Sequence, residues 1–246
     1  MAKTNGLGDN FYVGGYDLSG DINSLSKIAG TQATLDVTAI NSSARERLGG
    51  KRDGMIDFVA YFNPTGAHPV LSALPTADVQ ASYRRGTLLG NPAAELVAKQ
   101  INYDPTRGAD GALTVACALN GDGFGLEWGQ QLTAGLRTDT AATNGTSIDT
   151  LAAASFGAQA YLQVTAFTGT DVTVKIQDSA DNSSFADVTG LTFTQTTAAP
   201  GTQRLATGNT ATIRRYLRAV TVTASGVTSV TFAVTICKNS VMGQVF

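Results

Sequence analysis

Glutamate, lysine, histidine and tryptophan are all scarce in this chain of 246 residues. Only three glutamates occur (Glu46, Glu95 and Glu127), beside six lysines, one histidine and one tryptophan. Glutamate and lysine favour surface helices, whereas the 33 threonines favour strands, so the composition predicts a mainly β protein. Hydrophobic residues make up 43% and charged residues 15% of the chain, which excludes a disordered protein.

Long apolar runs and a strong surface charge are missing too. No run approaches the ~20 apolar residues that a membrane-spanning helix needs, and no apolar stretch follows the N-terminus as it would in a secretory signal. The 17 basic and 19 acidic residues give a formal net charge of −2, which offers no broad attraction for nucleic acid. We therefore expect no membrane partner and no binding of DNA through overall charge.

Motifs of catalysis and metal binding are also lacking. A single histidine excludes a histidine-rich zinc site, and neither Cys-x-x-Cys nor Gly-x-Ser-x-Gly occurs. Cys117 and Cys237 each lie in an apolar, strand-like run, which favours buried free thiols over a disulfide. We predict no catalytic residue, no cofactor and no metal.

Several other motifs have a structural explanation. Gly121–Gly125 follows a strand-like run and predicts a hairpin turn rather than a phosphate-binding loop. Asp178–Asp187 lacks the spacing and the closing acid of a calcium loop and indicates Asx turns. His68 lies in a turn-rich segment and indicates an exposed or capping role. The basic pairs Arg84-Arg85 and Arg214-Arg215 favour a solvated face or a subunit contact.

The composition of the chain changes along its length. Residues 1–136 hold most of the acids and prolines, residues 137–157 are polar without an apolar period, and residues 158–246 contain short threonine-rich strands separated by turns. The last pattern is typical of an antiparallel β-sandwich. We predict an N-terminal domain (1–136), a linker (137–157) and a C-terminal domain (158–246).

Local patterns predict individual elements. Apolar residues occupy every second position in 54–62 and in 172–177, so both segments are expected as strands with one buried face. A serine-capped helical turn is expected at 42–48, ended by two glycines, and a short helix at 69–74.

Five short segments, taken in order, carry a family resemblance. They are Tyr16–Leu25, Arg45–Phe58, His68–Asp78, Gly86–Pro92 and Ala98–Tyr103. This succession resembles the major tail protein, or tail tube protein, of long-tailed, non-contractile bacteriophages. The likeness covers about residues 5–135 and extends more loosely over the rest, which resembles the accessory β-sandwich that some tail proteins carry on the tube exterior.

The resemblance implies an architecture and a function. The N-terminal domain would have the two-sheet tail-tube fold with a short flanking helix, and the C-terminal domain would be an antiparallel β-sandwich. The protein would be a structural subunit rather than an enzyme. It would form rings, usually hexameric, that stack into a hollow conduit for DNA delivery.

The resemblance also implies contact residues and partners. A loop at about 41–54 would reach the next ring, with Arg45, Arg47, Arg52 and Asp53 as candidate inter-ring salt-bridge partners, and an N-terminal arm at 2–12 could contribute. The partners would be further copies of the chain, tape measure and tail terminator proteins, and phage double-stranded DNA that passes through the lumen without specific binding. The protein would lie in the virion tail, and in the host cytoplasm during assembly.

General physical arguments agree with an assembling protein. An open sheet has edge strands that invite pairing with another chain, and a ring of sheets removes those edges. Residues 1–136 carry ten basic and thirteen acidic side chains, whereas residues 157–246 carry six and four. An acidic tube domain would repel DNA weakly and let it slide.

Two other functions stay open at this level. The C-terminal domain could be a carbohydrate- or host-surface-binding module with Tyr161, Phe185 and Tyr216 as stacking residues, although core positions are more usual for such aromatics. A carboxylate-based glycosidase is the other alternative, but nothing in the sequence brings two carboxylates into one cleft.

Overall fold

The architecture is mainly β, as the composition predicts. A computed structural model of the chain describes residues 5–242, in which the paired strands run antiparallel. The elements are, in chain order, β1 (Asn10–Val13), β2 (Tyr16–Asp17), β3 (Ile22–Asp36), β4 (Arg47–Tyr61), α1 (Ala67–Leu71), β5 (Val79–Arg84), β6 (Pro92–Gln100), β7 (Asp104–Arg107), β8 (Leu113–Gly121), β9 (Glu127–Gln131), β10 (Arg137–Asp139), β11 (Ile148–Asp149), β12 (Ala158–Gly169), β13 (Thr173–Ser179), β14 (Ala186–Thr192), β15 (Gly201–Ala206), β16 (Tyr216–Val222) and β17 (Val227–Lys238).

The described residues form two compact units, each made of separate stretches of chain. Unit 1 contains the chain up to Gly20, Gln80–Glu95 and the chain from Trp128 onward, and unit 2 contains Asp21–Val79 and Leu96–Glu127. The units therefore do not follow the linear order of the two predicted domains, because strands remote in sequence pair with one another.

Unit 1 contains an antiparallel sandwich, as expected for the C-terminal strands. A four-stranded sheet with the order β11-β16-β13-β14 packs against the sheet that contains β12 and β17. In β13, Val174 and Ile176 point into this core and are at most 1% exposed. The period-two pattern of 172–177 therefore predicts the buried face correctly.

The other faces of β12 and β17 meet a second, polar layer in unit 1. Gln163 Nε2 donates to the backbone carbonyl of Gln80 at 3.0 Å, and Arg84 Nη2 donates to Thr235 Oγ1 at 3.0 Å. All four side chains are at most 4% exposed. Because buried polar groups must be hydrogen-bonded, these contacts join β5 to the two C-terminal strands.

The predicted linker is part of the pairing within unit 1. β10 pairs with β17 and β11 pairs with β16, while Asn144 and Ala154 form isolated bridges. Ile148 is 5% exposed in the sandwich core. The segment 137–157, predicted as a linker, thus contains short strands that pair with existing sheets although it has no apolar period.

Unit 2 is built on a sheet with the strand order β3-β4-β8, in which β7 and the end of β6 share the far edge of β8. The register sets Ile56 between Ile28 and Leu119, and Phe58 between Leu25 and Cys117. These side chains point to one side, called here the covered face, where Ile56, Phe58 and Leu119 are at most 1% exposed.

The short helix α1 begins at Ala67 rather than at Pro69. Asp21 Oδ2 accepts the N–H of Ala67 at 2.8 Å, so the side chain of the residue just before β3 holds the beginning of the helix. Ala67 and Leu71 are at most 2% exposed, and Leu71 O accepts a hydrogen bond from Gln100 Nε2 of β6 at 2.7 Å. Helix and strand thus form part of the layer that buries apolar side chains in unit 2.

The distal halves of β3 and β4 form a two-stranded ribbon, defined here as residues 31–53. Every ribbon residue except Thr38, Ser42 and Gly50 is exposed, and the exposure holds on both faces. The predicted helical turn at 42–48 is wrong, since β4 already begins at Arg47. Ser42 Oγ bonds Glu46 Oε1 at 3.0 Å, so the serine that indicates a helix cap closes a hairpin tip instead.

Candidate assembly surfaces

The four candidate inter-ring residues all lie on the ribbon, but they do not form one cluster. Arg45 lies in the tip and Arg47 is opposite Asp36, whereas Arg52 is opposite Gln32 and Asp53 is opposite Thr31. The two groups are separated by five strand residues, or roughly 17 Å. Asp53 Oδ1 accepts the N–H of Gly54 at 2.7 Å, so this carboxylate is already oriented within the chain.

One side of the ribbon is apolar and exposed. Leu35 and Leu48 are directly opposite each other, and each is 57% exposed. Val37 is 45% exposed and Ile40 at the tip is fully exposed. Singly exposed leucines are common on protein surfaces, but a cross-strand pair with two apolar neighbours is typical of a contact surface. Leu35, Val37 and Ala39 alternate with Asp36 and Thr38 in the sequence, which indicates that the first three share a face. Their exposure follows only from the fold.

The unit 2 sheet has two edge strands, each of which lacks a partner on one side. In the part of the chain that the structure describes, β3 pairs only with β4, and β7 pairs only with β8. β3 is fifteen residues long, which makes it a long edge. Unpaired N–H and C=O groups on such an edge can pair with a strand from another molecule.

The face of the unit 2 sheet opposite the covered face is called here the open face. Its members follow from the register and comprise Ser24, Lys27, Ala29, Met55, Asp57, Val59, Tyr61, Lys99, Asp104, Thr106, Thr114, Ala116, Ala118 and Asn120. Lys27 is directly opposite Asp57. None of these side chains is buried, in contrast to Ile56 and Phe58 on the other side.

The predicted N-terminal arm is largely anchored. Residues 2–4 lie outside the described part of the chain. Asp9 accepts two hydrogen bonds from Arg85 Nη1 at 2.9 and 2.7 Å, and a third from Tyr83 Oη at 2.5 Å. Phe11 and Tyr12 are each 1% exposed in β1. Within the described part of the arm, the exposed residues are those numbered 5 to 8, so this segment is the part available to another molecule.

The basic pairs behave differently from each other. Arg84 is fully buried, so a solvated face is the wrong expectation for this residue. Its guanidinium donates to Thr133 Oγ1 at 3.1 Å and to Thr235 Oγ1 at 3.0 Å, and burial lowers its pKa from the ordinary value. Arg215, by contrast, is 43% exposed and pairs with Asp149 at 2.6 Å.

The three aromatic residues considered for carbohydrate stacking are not arranged as a platform. Tyr161 is 1% exposed and its hydroxyl accepts a hydrogen bond from Arg204 Nε at 2.9 Å. The guanidinium of Arg218 lies 4.0 Å from the ring centroid of Phe185, and that of Arg215 lies 5.1 Å from that of Tyr216. Cation–π contacts thus occupy faces that a sugar would need.

Two carboxylates do line one cavity in unit 1. This cavity of about 420 Å³ is bordered by Asp178, Asp187 and Arg214. Asp178 Oδ2 accepts the N–H of Arg214 at 2.8 Å. Hydrogen bonding from Gln177 and then Lys175 holds the pKa of Asp187 below its ordinary value, whereas a glycosidase proton donor needs a raised pKa. Asp187 is therefore not suited to be the proton donor of that reaction.

The remaining motifs have structural roles. Asp181 Oδ1 accepts the N–H groups of Ser183 and Ser184 at 2.9 and 2.8 Å, the Asx turn expected in 178–187. His68 Nδ1 lies 2.6 Å from Tyr103 Oη. Cys117 and Cys237 are buried and are not joined in a disulfide, and burial raises the pKa of the Cys117 thiol to about 12. Among residues 5–242, no group of three His, Cys, Asp or Glu side chains could hold a metal ion, and no helix is long and apolar enough to cross a membrane.

The chain is similar to solved components of phage and phage-like particles. The virion of a native gene transfer agent particle matches with a TM-score of 0.41 and 16% identity over 51% of this chain and 98% of that chain. The SPP1 Dit protein, from a hub adsorption apparatus of phages that infect Gram-positive hosts, matches with a TM-score of 0.32 and 11% identity over 92% and 98%. The activated phage P2 baseplate matches with a TM-score of 0.34 and 9% identity over 94% and 98%.

No protein-family model and no curated protein matches the sequence. The three TM-scores are below 0.5. Likeness at that level assigns neither a fold family nor a function.

Proposed function

We propose that this chain is a structural subunit of a phage tail that assembles with itself into stacked, hexameric rings around a conduit for DNA. The observation that carries the proposal is the pair of unpaired edges, β3 and β7, at opposite sides of the unit 2 sheet. The sequence resemblance to tail tube proteins supports the same function independently of these edges.

Edge pairing between copies would give a closed ring. The edge of β3 on one copy would pair with the edge of β7 on the next copy, and the same contact repeated around a rotation axis leaves no free edge. The two edges differ in length and sequence, so the contact is head-to-tail, as ring closure requires. An isolated subunit would keep both edges exposed.

The width of the sheet favours six copies over three. Four strands per copy, spaced at ~4.8 Å, give a six-copy barrel a backbone diameter of about 37 Å, and more when the strands are tilted. Side chains narrow this to a bore of about 30 Å, wider than a DNA duplex of about 20 Å. Three copies would leave a bore of about 10 Å, too narrow for the duplex.

The ribbon would supply the contact between rings. It carries four basic and three acidic side chains, whereas the rest of unit 2 carries three basic and seven acidic side chains. A net charge of +1 on the ribbon would thus meet a net charge of −4 on the body of a copy in the next ring. Arg45, Arg47, Arg52 and Asp53 would form ion pairs there, and the apolar side of the ribbon would lose its exposure to water.

The remaining partners follow from this role. Tape measure and tail terminator proteins would contact the tube inside and at its end, and double-stranded DNA would pass without specific binding. The subunit would have no enzymatic activity. It would assemble in the host cytoplasm and remain in the virion tail.

Cysteine cross-linking between the two edges tests the ring. Ser24, Lys27 or Ala29 of β3 is changed to Cys in a chain that also carries Thr106→Cys in β7, because side chains on the same face can form a cross-strand disulfide. Mild oxidation is expected to give a ladder of covalent multimers that ends at six chains. The native Cys117 and Cys237 are buried and serve as internal controls.

Matched controls make the result specific. Each single-cysteine variant lacks one half of the contact and should give no ladder beyond a dimer. The proposal is overturned if the purified protein stays monomeric at high concentration. It is also overturned if tubes form in negative-stain images while none of the three cysteine pairs cross-links.

A further inference from the structure

The two faces of the unit 2 sheet differ in what they can accommodate. The covered face is already packed, since Ile56, Phe58 and Leu119 are at most 1% exposed and the nearby Ala67, Leu71 and Leu96 of the same unit are equally buried. The open face has no such layer over Ala116, which is exposed at the centre of β8. Any closed ring of these sheets must turn one of the two faces inward.

The packed layer decides which face can be inside. A layer packed on a sheet takes about 10 Å between backbones, plus about 5 Å for its own far side. If the covered face pointed inward, two opposed layers would reduce a barrel of about 37–48 Å to a bore of about 7–18 Å. That bore excludes a duplex of about 20 Å, whereas the open face leaves about 30 Å.

The composition of the open face suits a surface along which DNA slides. β8 contributes Thr114, Ala116, Ala118 and Asn120, which are small or neutral. Two basic side chains lie on this face: Lys27 is opposite Asp57, and Lys99 at the end of β6 is opposite Asn120 and forms ion pairs with Asp78 and Asp122. Asp104 adds a further acid. With Asp78 and Asp122 included, these six side chains carry a net charge of −2 per copy, so a ring would repel phosphates weakly and would not hold them.

From these observations we infer that the open face of β3, β4, β8 and β7 lines the conduit, and that its partner is the backbone of a passing DNA duplex. The inference rests on the proposed ring assembly. It adds the specific side chains that face the DNA, which the resemblance does not identify.

Labelling with gold tests the inference in assembled tubes. Ala116→Cys, and separately Tyr61→Cys, place a reactive thiol on the open face. Tubes are exposed either to a small maleimide or to a maleimide-coated gold particle wider than the bore. We expect the small reagent to label the thiol, and gold to appear only at tube ends in negative-stain images.

Unassembled subunits and an outside position serve as controls. Subunits of the same variants should bind gold, which shows that the thiol is accessible before assembly. Thr189→Cys, at an exposed position in β14 of unit 1, provides a matched thiol outside unit 2. Gold along the walls of Ala116→Cys or Tyr61→Cys tubes would overturn the inference and leave the proposed assembly intact. Absence of tubes from the unchanged protein would overturn both.

Discussion

At the scale of single residues, Arg84 carries a charge that is buried within unit 1. It is fully buried, and its guanidinium is held by the hydroxyls of Thr133 and Thr235 and by the charge of Glu95. Desolvation of a guanidinium is expensive, so such a group is stable only while every one of these partners stays in place. Removing the charge alone would leave the carboxylate of Glu95 without its buried cationic neighbour.

Arg84→Met should destabilise the protein strongly for this reason. We expect a loss of about 3–5 kcal/mol in the free energy of unfolding, which corresponds to a fall of roughly 10 °C in the melting temperature. Arg107→Met, on the exposed strand β7, is the matched control and should change the free energy by less than about 0.5 kcal/mol. Equal melting temperatures for the two variants would contradict the assigned role of Arg84.

The ion pair between Asp149 and Arg215 gives a prediction about pH. Two hydrogen bonds from the guanidinium, at 2.7 and 2.6 Å, lower the pKa of Asp149 from the ordinary 3.8 to about 2. A carboxyl whose pKa is lower in the folded state stabilises the fold above its unfolded pKa, and this contribution disappears as the pH falls through the folded pKa. The relevant window therefore runs from about pH 4 down to about pH 2.

Asp149→Asn should melt at a lower temperature than the unchanged protein near neutral pH. This difference in melting temperature should disappear as the pH falls from about 4 to about 2. The measurement is the melting temperature of both proteins between pH 7 and pH 2. Arg215→Gln in each background isolates the pair, since the effect of Asp149→Asn should shrink once its partner is gone. A difference that stays constant across the whole pH range would rule out the ion pair as its cause.

At the scale of elements, the ribbon receives little support from packing within the described part of the chain. A two-stranded hairpin exposed on both faces is marginally stable in water. Its apolar side carries Leu35 opposite Leu48, and neither side chain contributes to a core. Selection for subunit stability alone would favour polar residues at both positions, so the pair is better explained by a contact made after folding.

Leu35→Thr combined with Leu48→Thr should separate folding from assembly. Because both leucines are exposed, we expect the melting temperature of the subunit to change by less than about 2 °C. Tubes should become rare or short in negative-stain images. Leu74→Thr with Leu88→Thr, a control at two other exposed leucines, should leave tube length unchanged. Long tubes from the ribbon variant would mean that its apolar side makes no contact between rings.

The elements also reveal where local patterns are informative. The alternation in 54–62 and 172–177 predicts buried faces correctly, because burial on one side of a strand imposes a period of two wherever the strand pairs. Ser42 is misleading, since a serine that can cap a helix can equally close a hairpin tip. The ribbon itself has the same alternation as a buried strand, and only the absence of packing distinguishes it.

At the scale of the whole molecule, strands from both halves of the chain pair within unit 1. The backbone N–H of Leu132 donates to Val234 O at 2.8 Å, and Gln131 is opposite Thr235 in the sheet. The C-terminal strands β12 and β17 therefore cover side chains that belong to the N-terminal half, including the polar layer around Arg84. An accessory module that could be removed without effect would not have such contacts.

Truncation after residue 150 should consequently prevent folding of unit 1. The fragment would expose Tyr12, Arg84 and Glu95 to water, all of which are at most 1% exposed in the full chain. We expect broad, non-cooperative thermal unfolding and aggregation, measured by circular dichroism and light scattering. Co-expression with residues 151–246 should restore a soluble complex, which controls for damage at the cut itself. Cooperative melting of the fragment alone would contradict this prediction.

The sequence by itself determined that the protein is mainly β and that its two thiols are buried. These properties follow from composition and from a period of two, which any short segment expresses by itself. Tertiary structure decided that residues 80–95 and 128–136 join the C-terminal strands, that Arg84 is buried, and that two edges of the unit 2 sheet lack partners. Pairing between strands far apart in sequence depends on the free energy of the whole packed arrangement, which no local pattern encodes.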